Sequence, residues 1–373
     1  MSVVERVAPV DTGQVEEAPV GPAEDLAVGE EAFGAQGGDP SRGVSIDLST
    51  CVNRYGPPAA VIDALHRIGP DDIRMHPYDA HDRVCAVYGW ATGVDSGDLE
   101  AGRGVSEFIW TLARRVPHSG VAVPVPAYTD YLKAFPGRGF SLAGEQLPGL
   151  DQIDAALAVA ATVIISNPHN PTGAFLPRDG LLDVAARHRD SLLVVDESYI
   201  NFTPDPLGNS VIGCDLANVV VLRSSSKFYG IAASRAGVMW AREHRHQELL
   251  GRRETWGLSG IDAIVAETAI RCWDWADESR AKLLDDSRWL AGAMAGLPGV
   301  DVWQNENVHF QYAFSERAAE LADALAAYGV GVRALGHAHG VRPGALRVVA
   351  PRADERRIVA DAISGLAATM APS

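Results

Sequence analysis

The sequence predicts an α/β fold: a large three-layer α/β/α unit on a mainly parallel sheet, followed by a smaller α+β unit. Three observations carry this. First, "SGVAVPV", "ATVIIS", "SLLVVD" and "NVVVLRS" are continuous apolar runs, as strands buried on both faces require. Second, helix-like stretches such as "PRDGLLDVAARHRD" separate them, as crossovers between parallel strands do. Third, the texture changes after about residue 245. "DESRAKLLDDSRWLAGAMAGL" reads as a long helix and "VDVWQNENVHFQYAF" as strand-like segments. "ERAAELADALAAYG" is a helix with Gly329 at its C′ position, "ALRVVAP" a strand and "ADERRIVADAISGLAATM" a closing helix. The expected organisation is an arm over 1–43, a large unit over 44–245 and a small unit over 246–373.

Composition bounds the function. A chain of 373 residues, 47% of them hydrophobic, has room for one large and one smaller core. A net charge of −16 argues against nucleic acid and anionic membrane surfaces as partners. Cys51, Cys85, Cys214 and Cys272 are scattered, with neither a C-x-x-C pair nor metal-ligand spacing. They read as reduced thiols of a cytoplasmic protein without a metal site. The N-terminus lacks the basic flank and apolar core of a secretory signal, and no apolar run approaches the roughly 20 residues of a membrane helix. Residues 1–43, rich in Glu, Gly, Pro and Ala, read as an arm that is partly disordered or draped over a neighbour.

The polar motifs stand at the ends of the predicted strands, where open α/β sheets bind ligands. "SNPHNPTG" follows "ATVII": it is either only a tight turn or a stiff loop that aims Asn170 at a ligand. Asp196 closes "LLVVD", as a cap of the next turn or as a carboxylate paired with a cation in a site; Tyr199 follows three residues on. Lys227 follows three serines, as a solvated strand-end charge or as a desolvated amine able to form a Schiff base. Ser224, Ser226 and Arg235 suit a phosphate. In "AGRGVSEFIWTLARRV", Gly102 and Gly104 precede a helix whose first N–H groups could hold a second anion, although a Gly-rich helix start is often structural. Tyr128 in "PVPAYTDYL" is either a packed aromatic or a ring that stacks on a planar cofactor.

In this order, these segments resemble pyridoxal-phosphate enzymes of the aspartate-aminotransferase fold type over nearly the whole chain beyond residue 44. Within that fold they resemble histidinol-phosphate aminotransferases and threonine-phosphate decarboxylases. "DLSTCVNRYGPP" is similar to the opening motif of the decarboxylase branch, "GRGVSE" to the G-x-G-x-x-E of both, "RRETWGLSGIDAIVAETAI" to their interdomain segment, and "ALRVVAP" to the strand bearing their substrate arginine. The resemblance implies pyridoxal 5′-phosphate bound to Lys227, with Asp196 on the ring nitrogen, Asn170 and Tyr199 on the ring hydroxyl and Tyr128 stacked on the ring. Gly104, Val105, Ser106, Ser224, Ser226 and Arg235 would hold the phosphate, and Arg347 the substrate carboxylate or phosphate.

The chain also departs from these relatives. Arg54 stands where they have Pro, Val52 where the histidinol-phosphate enzymes have Glu, and His76 where a Tyr reaches the partner subunit's cofactor phosphate. Asn53, Arg54 and Arg333 are expected to join Arg347 around the substrate; His337 and His339 are substrate ligands or plain loop residues. The implied activity is an aminotransferase of an amino acid or related amine, working as a homodimer with shared sites. The alternative is a decarboxylase, β-elimination lyase or oxidase on the same fold. A regulator on this fold would carry a DNA-binding domain in front, and the acidic lead segment has no helix-turn-helix pattern.

Overall fold

The computed structural model describes residues 43–141, 147–336, 339–340 and 344–370. The expected arm, apart from Gly43, and His337 lie outside the described residues. The strands are β1 (Ile46–Asp47), β2 (Leu99–Gly102), β3 (Val121–Pro124), β4 (Gly139–Phe140), β5 (Thr162–Ser166), β6 (Leu192–Asp196), β7 (Val219–Ser224), β8 (Gly237–Ala241), β9 (Asp301–Trp303), β10 (Phe310–Phe314), β11 (Val330–Gly331), β12 (Arg333–Leu335) and β13 (Ala345–Val349). The large sheet has the order β2-β8-β7-β6-β5-β3-β4. Pairings from β7 through β6, β5 and β3 to β4 are parallel, whereas β8 runs antiparallel to both β7 and β2. The sequence reading did not anticipate β2, β4 or β8. The run "GVMWA" of β8 carries the same apolar signature as its neighbours, but β2 and β4 are too short for one.

Alternation along these strands feeds two cores, one on each face. Val163, Ile165, Leu193, Val195, Val219 and Val221 pack on one side. Ile164, Leu192, Val194, Val220 and Leu222 pack on the other, with residues of the helices Val105–Arg115 and Thr129–Ala134. The first of these helices forms because Val105, Phe108, Ile109 and Leu112 recur at i, i+3, i+4 and i+7, which gives one buried stripe.

The second sheet, β12-β13-β10-β9, is antiparallel. Leu290 and Met294 of helix Trp273–Met294, Leu325 of helix Ala318–Ala327, and Val359 and Ile363 of helix Arg356–Met370 enclose its apolar face with Leu346 and Val348. Gly329 takes φ +81° just after helix Ala318–Ala327, a left-handed conformation that suits glycine at a helix end. The strand β1 pairs in parallel with β11, and Leu48 N donates to Gly331 O at 2.7 Å. The first described strand therefore packs against the C-terminal unit rather than the large sheet.

One buried ion pair underlies the strand ends. Arg223 Nε donates to Glu197 Oε2 at 2.9 Å, and both side chains are almost fully excluded from water. Ser210 Oγ and Val211 N also donate to Glu197, at 2.6 and 2.8 Å, so the pair ties the 203–212 loop beneath β6 and β7. Removing one partner strands a buried charge. Glu197→Ala or Arg223→Ala should each lower stability by about 3–5 kcal/mol, and the double variant Glu197→Leu/Arg223→Met by less than either. Denaturant unfolding checks this, and a double variant weaker than both singles would contradict it.

Candidate active site

Three strand ends form the floor of a cavity. Ser166, Asp196 and Ser224 are the last residues of β5, β6 and β7, and alternation turns all three side chains to the face covered by helices Val105–Arg115 and Thr129–Ala134. They line the cavity together with Lys227, Arg235 and Arg347.

One end of the cavity suits an anion. Gly104, at φ +76°, precedes the helix Val105–Arg115, whose first residues Val105 and Ser106 line the cavity. A Cβ at Gly104 would come within 3.0 Å of the Arg235 guanidinium, so the loop and that cation lie in close contact. Ser224 Oγ and Ser226 Oγ stand 2.8 Å apart beside them. Helix N–H groups, two hydroxyls and a guanidinium are what a phosphate requires.

The middle of the cavity holds an amine and an acid. Burial pulls the Lys227 pKa below the ordinary lysine value; Cys51 opposes this, while Arg347 and Arg235 add to it. A lowered pKa favours the neutral, nucleophilic form of an amine. Burial pushes Asp196 the opposite way, above the usual carboxylate range, against donors that favour its charge. Tyr131 donates to Oδ2 at 2.5 Å, and Ser198 donates to Oδ1 from Oγ at 2.6 Å and from N at 2.8 Å. All three donors are neutral, so a cationic ligand group at Asp196 would offset its desolvation.

Around these groups, Tyr128 is half-buried, with its ring edge-on to Tyr131 at 5.6 Å. Tyr199 is buried, and desolvation holds its phenol well above its usual pKa. The Asn170 backbone N donates to Ser166 Oγ at 2.9 Å, and its Oδ1 accepts Arg347 Nη1 at 2.6 Å. This leaves the Asn170 amide nitrogen available to a ligand oxygen. Arg347 Nη2 donates to Ser49 O at 2.8 Å, and its buried Nε has no partner among the described residues. Behind Tyr199, His309 stacks on Phe202 at 3.9 Å. Burial, then Arg347 and Lys227, lower its pKa to about 3, so it adds no charge to this side of the site.

The structure therefore gathers Gly104, Val105, Ser106, Tyr128, Asn170, Asp196, Tyr199, Ser224, Ser226, Lys227, Arg235 and Arg347 in or against one cavity. Two expected substrate ligands, Asn53 and Arg54, line a neighbouring pocket that shares Thr50 with this cavity. Asn53 is buried outside the cavity, donating to Phe228 O at 2.7 Å and Ser279 Oγ at 2.8 Å, because its amide braces the backbone after Lys227. Arg54 is held on the neighbouring pocket's wall, where Glu355 accepts its guanidinium. Arg333 is buried beside Arg347 in the sheet, with Cα atoms in register, but does not line the cavity. His339 is buried near Arg333 and Arg347, whose charges and its own burial lower its pKa to about 3; burial comes first among these causes. Exposed His76 stacks on Trp256 at 4.0 Å, away from its own cavity.

Sequence reasoning missed Ser49, Thr50, Cys51, Tyr131, Ser166 and Ser198, all of which line the cavity. Two of these had a signal. Tyr131 lies one helical turn after Tyr128, and Ser198 stands two residues after Asp196, the spacing of an Asx turn.

Pyridoxal 5′-phosphate fits this donor set. Its phosphate matches the helix start, its protonated ring nitrogen matches Asp196 and its aldehyde carbon matches Lys227. Comparison with known proteins points the same way. The chain is 28% identical over 339 residues to a histidinol-phosphate aminotransferase of Dinoroseobacter shibae, covering 87% of this chain and 92% of that protein. It is 26% identical over 279 residues to a threonine-phosphate decarboxylase of Salmonella typhimurium, covering 69% and 73%. Its fold matches the crystal structure of histidinol-phosphate aminotransferase from Sinorhizobium meliloti in complex with pyridoxal-5′-phosphate, at TM-score 0.77 and 21% identity over 92% of this chain and 95% of that one. The model of the family described as aminotransferase class I and II matches residues 45–363, and the chain belongs to that family.

Proposed function

We propose that this protein is a pyridoxal-phosphate-dependent aminotransferase of an amino acid or related amine. One observation carries the reading: a desolvated lysine, a buried carboxylate with only neutral donors and an anion-binding helix start face a single cavity. The chain has three lysines, at 133, 227 and 282, and only Lys227 lines that cavity. The bound cofactor supplies an electrophilic carbon for the amine and a ring that withdraws electrons from it. Lys227 holds the cofactor and, when released, takes the proton from the substrate Cα. Asp196 maintains positive charge on the ring nitrogen, with Tyr131 and Ser198 holding the carboxylate in place. Arg347 orients the substrate carboxylate, and Asn170 couples that arginine to the ring oxygen.

A second reading, decarboxylation, is supported by the relative of that activity and the opening motif shared with its branch. Single-turnover spectra with a panel of amines separate the two. A transaminase leaves its cofactor in the amine form and stalls until a keto acid is added, whereas a decarboxylase continues without one.

We also infer a homodimer in the cytoplasm. Ile62, Leu65, Ile73, Met75, Tyr78, Trp256 and Ile261 are exposed, several on helices that pack together, and a patch of this kind marks an interface. The four cysteines are free, in keeping with a reducing compartment.

Lys227→Ala should stay folded yet lose turnover, the visible band of the lysine-bound cofactor and the borohydride-fixed adduct. Retention of both spectroscopic features would show that another group carries the cofactor.

Asp196→Ala should lower kcat by several orders of magnitude. Tyr199→Phe and Tyr131→Phe should each cost roughly ten-fold, as neutral donors to the ring oxygen and to the acid. Steady-state kinetics on cofactor-loaded enzyme decide, and equal losses across the three would remove Asp196 from its assigned role.

His76→Ala should remain a dimer on sizing but release its cofactor faster than wild type, if His76 reaches the phosphate of the other subunit. Wild-type retention would reduce the stack on Trp256 to packing alone.

A further inference from the structure

Residues 47–53 form a strap through the centre of the molecule. Leu48 is held between Gly331 and Val349: its N donates to Gly331 O at 2.7 Å and its O accepts Val349 N at 2.9 Å. The next carbonyl, Ser49 O, accepts Arg347 Nη2 at 2.8 Å. Thr50 and Cys51 then line the cavity. Asn53 N donates to Lys227 O at 2.9 Å. One short segment thus touches the substrate arginine at its start and the cofactor lysine at its end.

Arg54 closes this strap on itself. Its Nη1 donates to Asp47 O at 2.6 Å, across the whole segment. Its Nε and Nη2 form a fork on Glu355, at 2.9 and 2.5 Å. Glu355 is fixed in turn, since Oε2 accepts Arg352 N at 2.9 Å just before the closing helix Arg356–Met370. The two side chains are only 20% and 12% exposed, which places the pair above the near-zero value of a solvated surface bridge. A fork of this kind fixes direction as well as distance, which a lysine could not do.

We propose that Arg54 and Glu355 are positioning residues that clamp the 47–53 strap, and so hold Arg347 at the angle that binds the substrate carboxylate, without touching substrate themselves. Loss of the clamp leaves the Leu48 bonds and the Asp47 carboxylate's bonds to Ser49 and Thr50 in place but loosens the strap that carries Ser49 O, one of the two acceptors that hold Arg347. The Asn53 and Lys227 contacts are anchored separately, through Phe228 O and Ser279 Oγ, so the cofactor side should hold. The kinetic part of this inference rests on the aminotransferase reading, whereas the clamp itself does not.

The test compares wild-type holoenzyme with Arg54→Lys, Arg54→Ala, Glu355→Gln and the Arg54→Ala/Glu355→Gln double variant. Amide hydrogen exchange of the peptide covering 47–53 should be faster in all four, by about ten-fold in the alanine and glutamine variants and less in Arg54→Lys. Wild-type protection in Arg54→Ala, which removes both the fork on Glu355 and the bond to Asp47 O, would overturn the proposal whatever reaction the enzyme catalyses. With an amine that the wild type turns over, KM should rise about ten-fold, while kcat and the visible cofactor band stay within about two-fold of wild type. The double variant should be no worse than the Arg54→Ala single, since that single already removes the Arg54–Glu355 fork. Additive losses, or a fall in kcat at unchanged KM, would also overturn it. A wild type that turns over no amine would count against the proposed activity, and the exchange rates alone would then decide whether the clamp exists.

Discussion

The site depends on a carboxylate held nearly buried at the floor of a cavity. Asp196 ends a strand of four buried apolar residues and is itself buried. The protein surrounds it with a phenol, a hydroxyl and an amide, which orient the acid without neutralising it. A group of this kind is costly unless a cation completes it. The same helix that presents Tyr131 to Asp196 begins just after Tyr128, so ring contact and acid support share one short element. The buried Arg223–Glu197 pair ties the same strand ends together on the opposite face.

Above the floor, the site is assembled from segments far apart in the chain. Asn170 Oδ1 and Ser49 O hold the two Arg347 nitrogens, and these three residues come from the β5 loop, the strap and β13. The antiparallel small sheet contributes the arginine, the parallel large sheet contributes the lysine and acid, and the strap joins them. This geometry links the arginine and the lysine mechanically through one segment. It also explains why Asn53 and Arg54 are polar although neither reaches the cavity: they anchor the segment that does.

Much of the architecture was legible because its signals are local. Both-face burial of β5, β6 and β7 writes continuous apolar runs, and the end of each run marks where a ligand can approach. Asp196, Lys227 and Asn170 stand out for that reason: they are polar residues at positions where the preceding chain cannot be exposed. The helix at Val105–Arg115 and the left-handed Gly104 before it are equally local.

What the sequence determined by itself was therefore the buried parallel strands β3, β5, β6 and β7 with the helices between them, the strand-end acid and lysine, and the family motifs around them. Direction of side chains beyond a strand end was decided by the tertiary structure. Arg54 reads in sequence as one more cation near the site entrance, yet Glu355, about three hundred residues later, draws it away. Tyr131 reads as a helix aromatic, yet the packing of its helix on the sheet face delivers its hydroxyl to Asp196. Cys51 reads as a stray thiol, yet the strap carries it to the cavity wall. In each case the partner is remote in sequence, and only the packing of two sheets against one strap determines which groups meet.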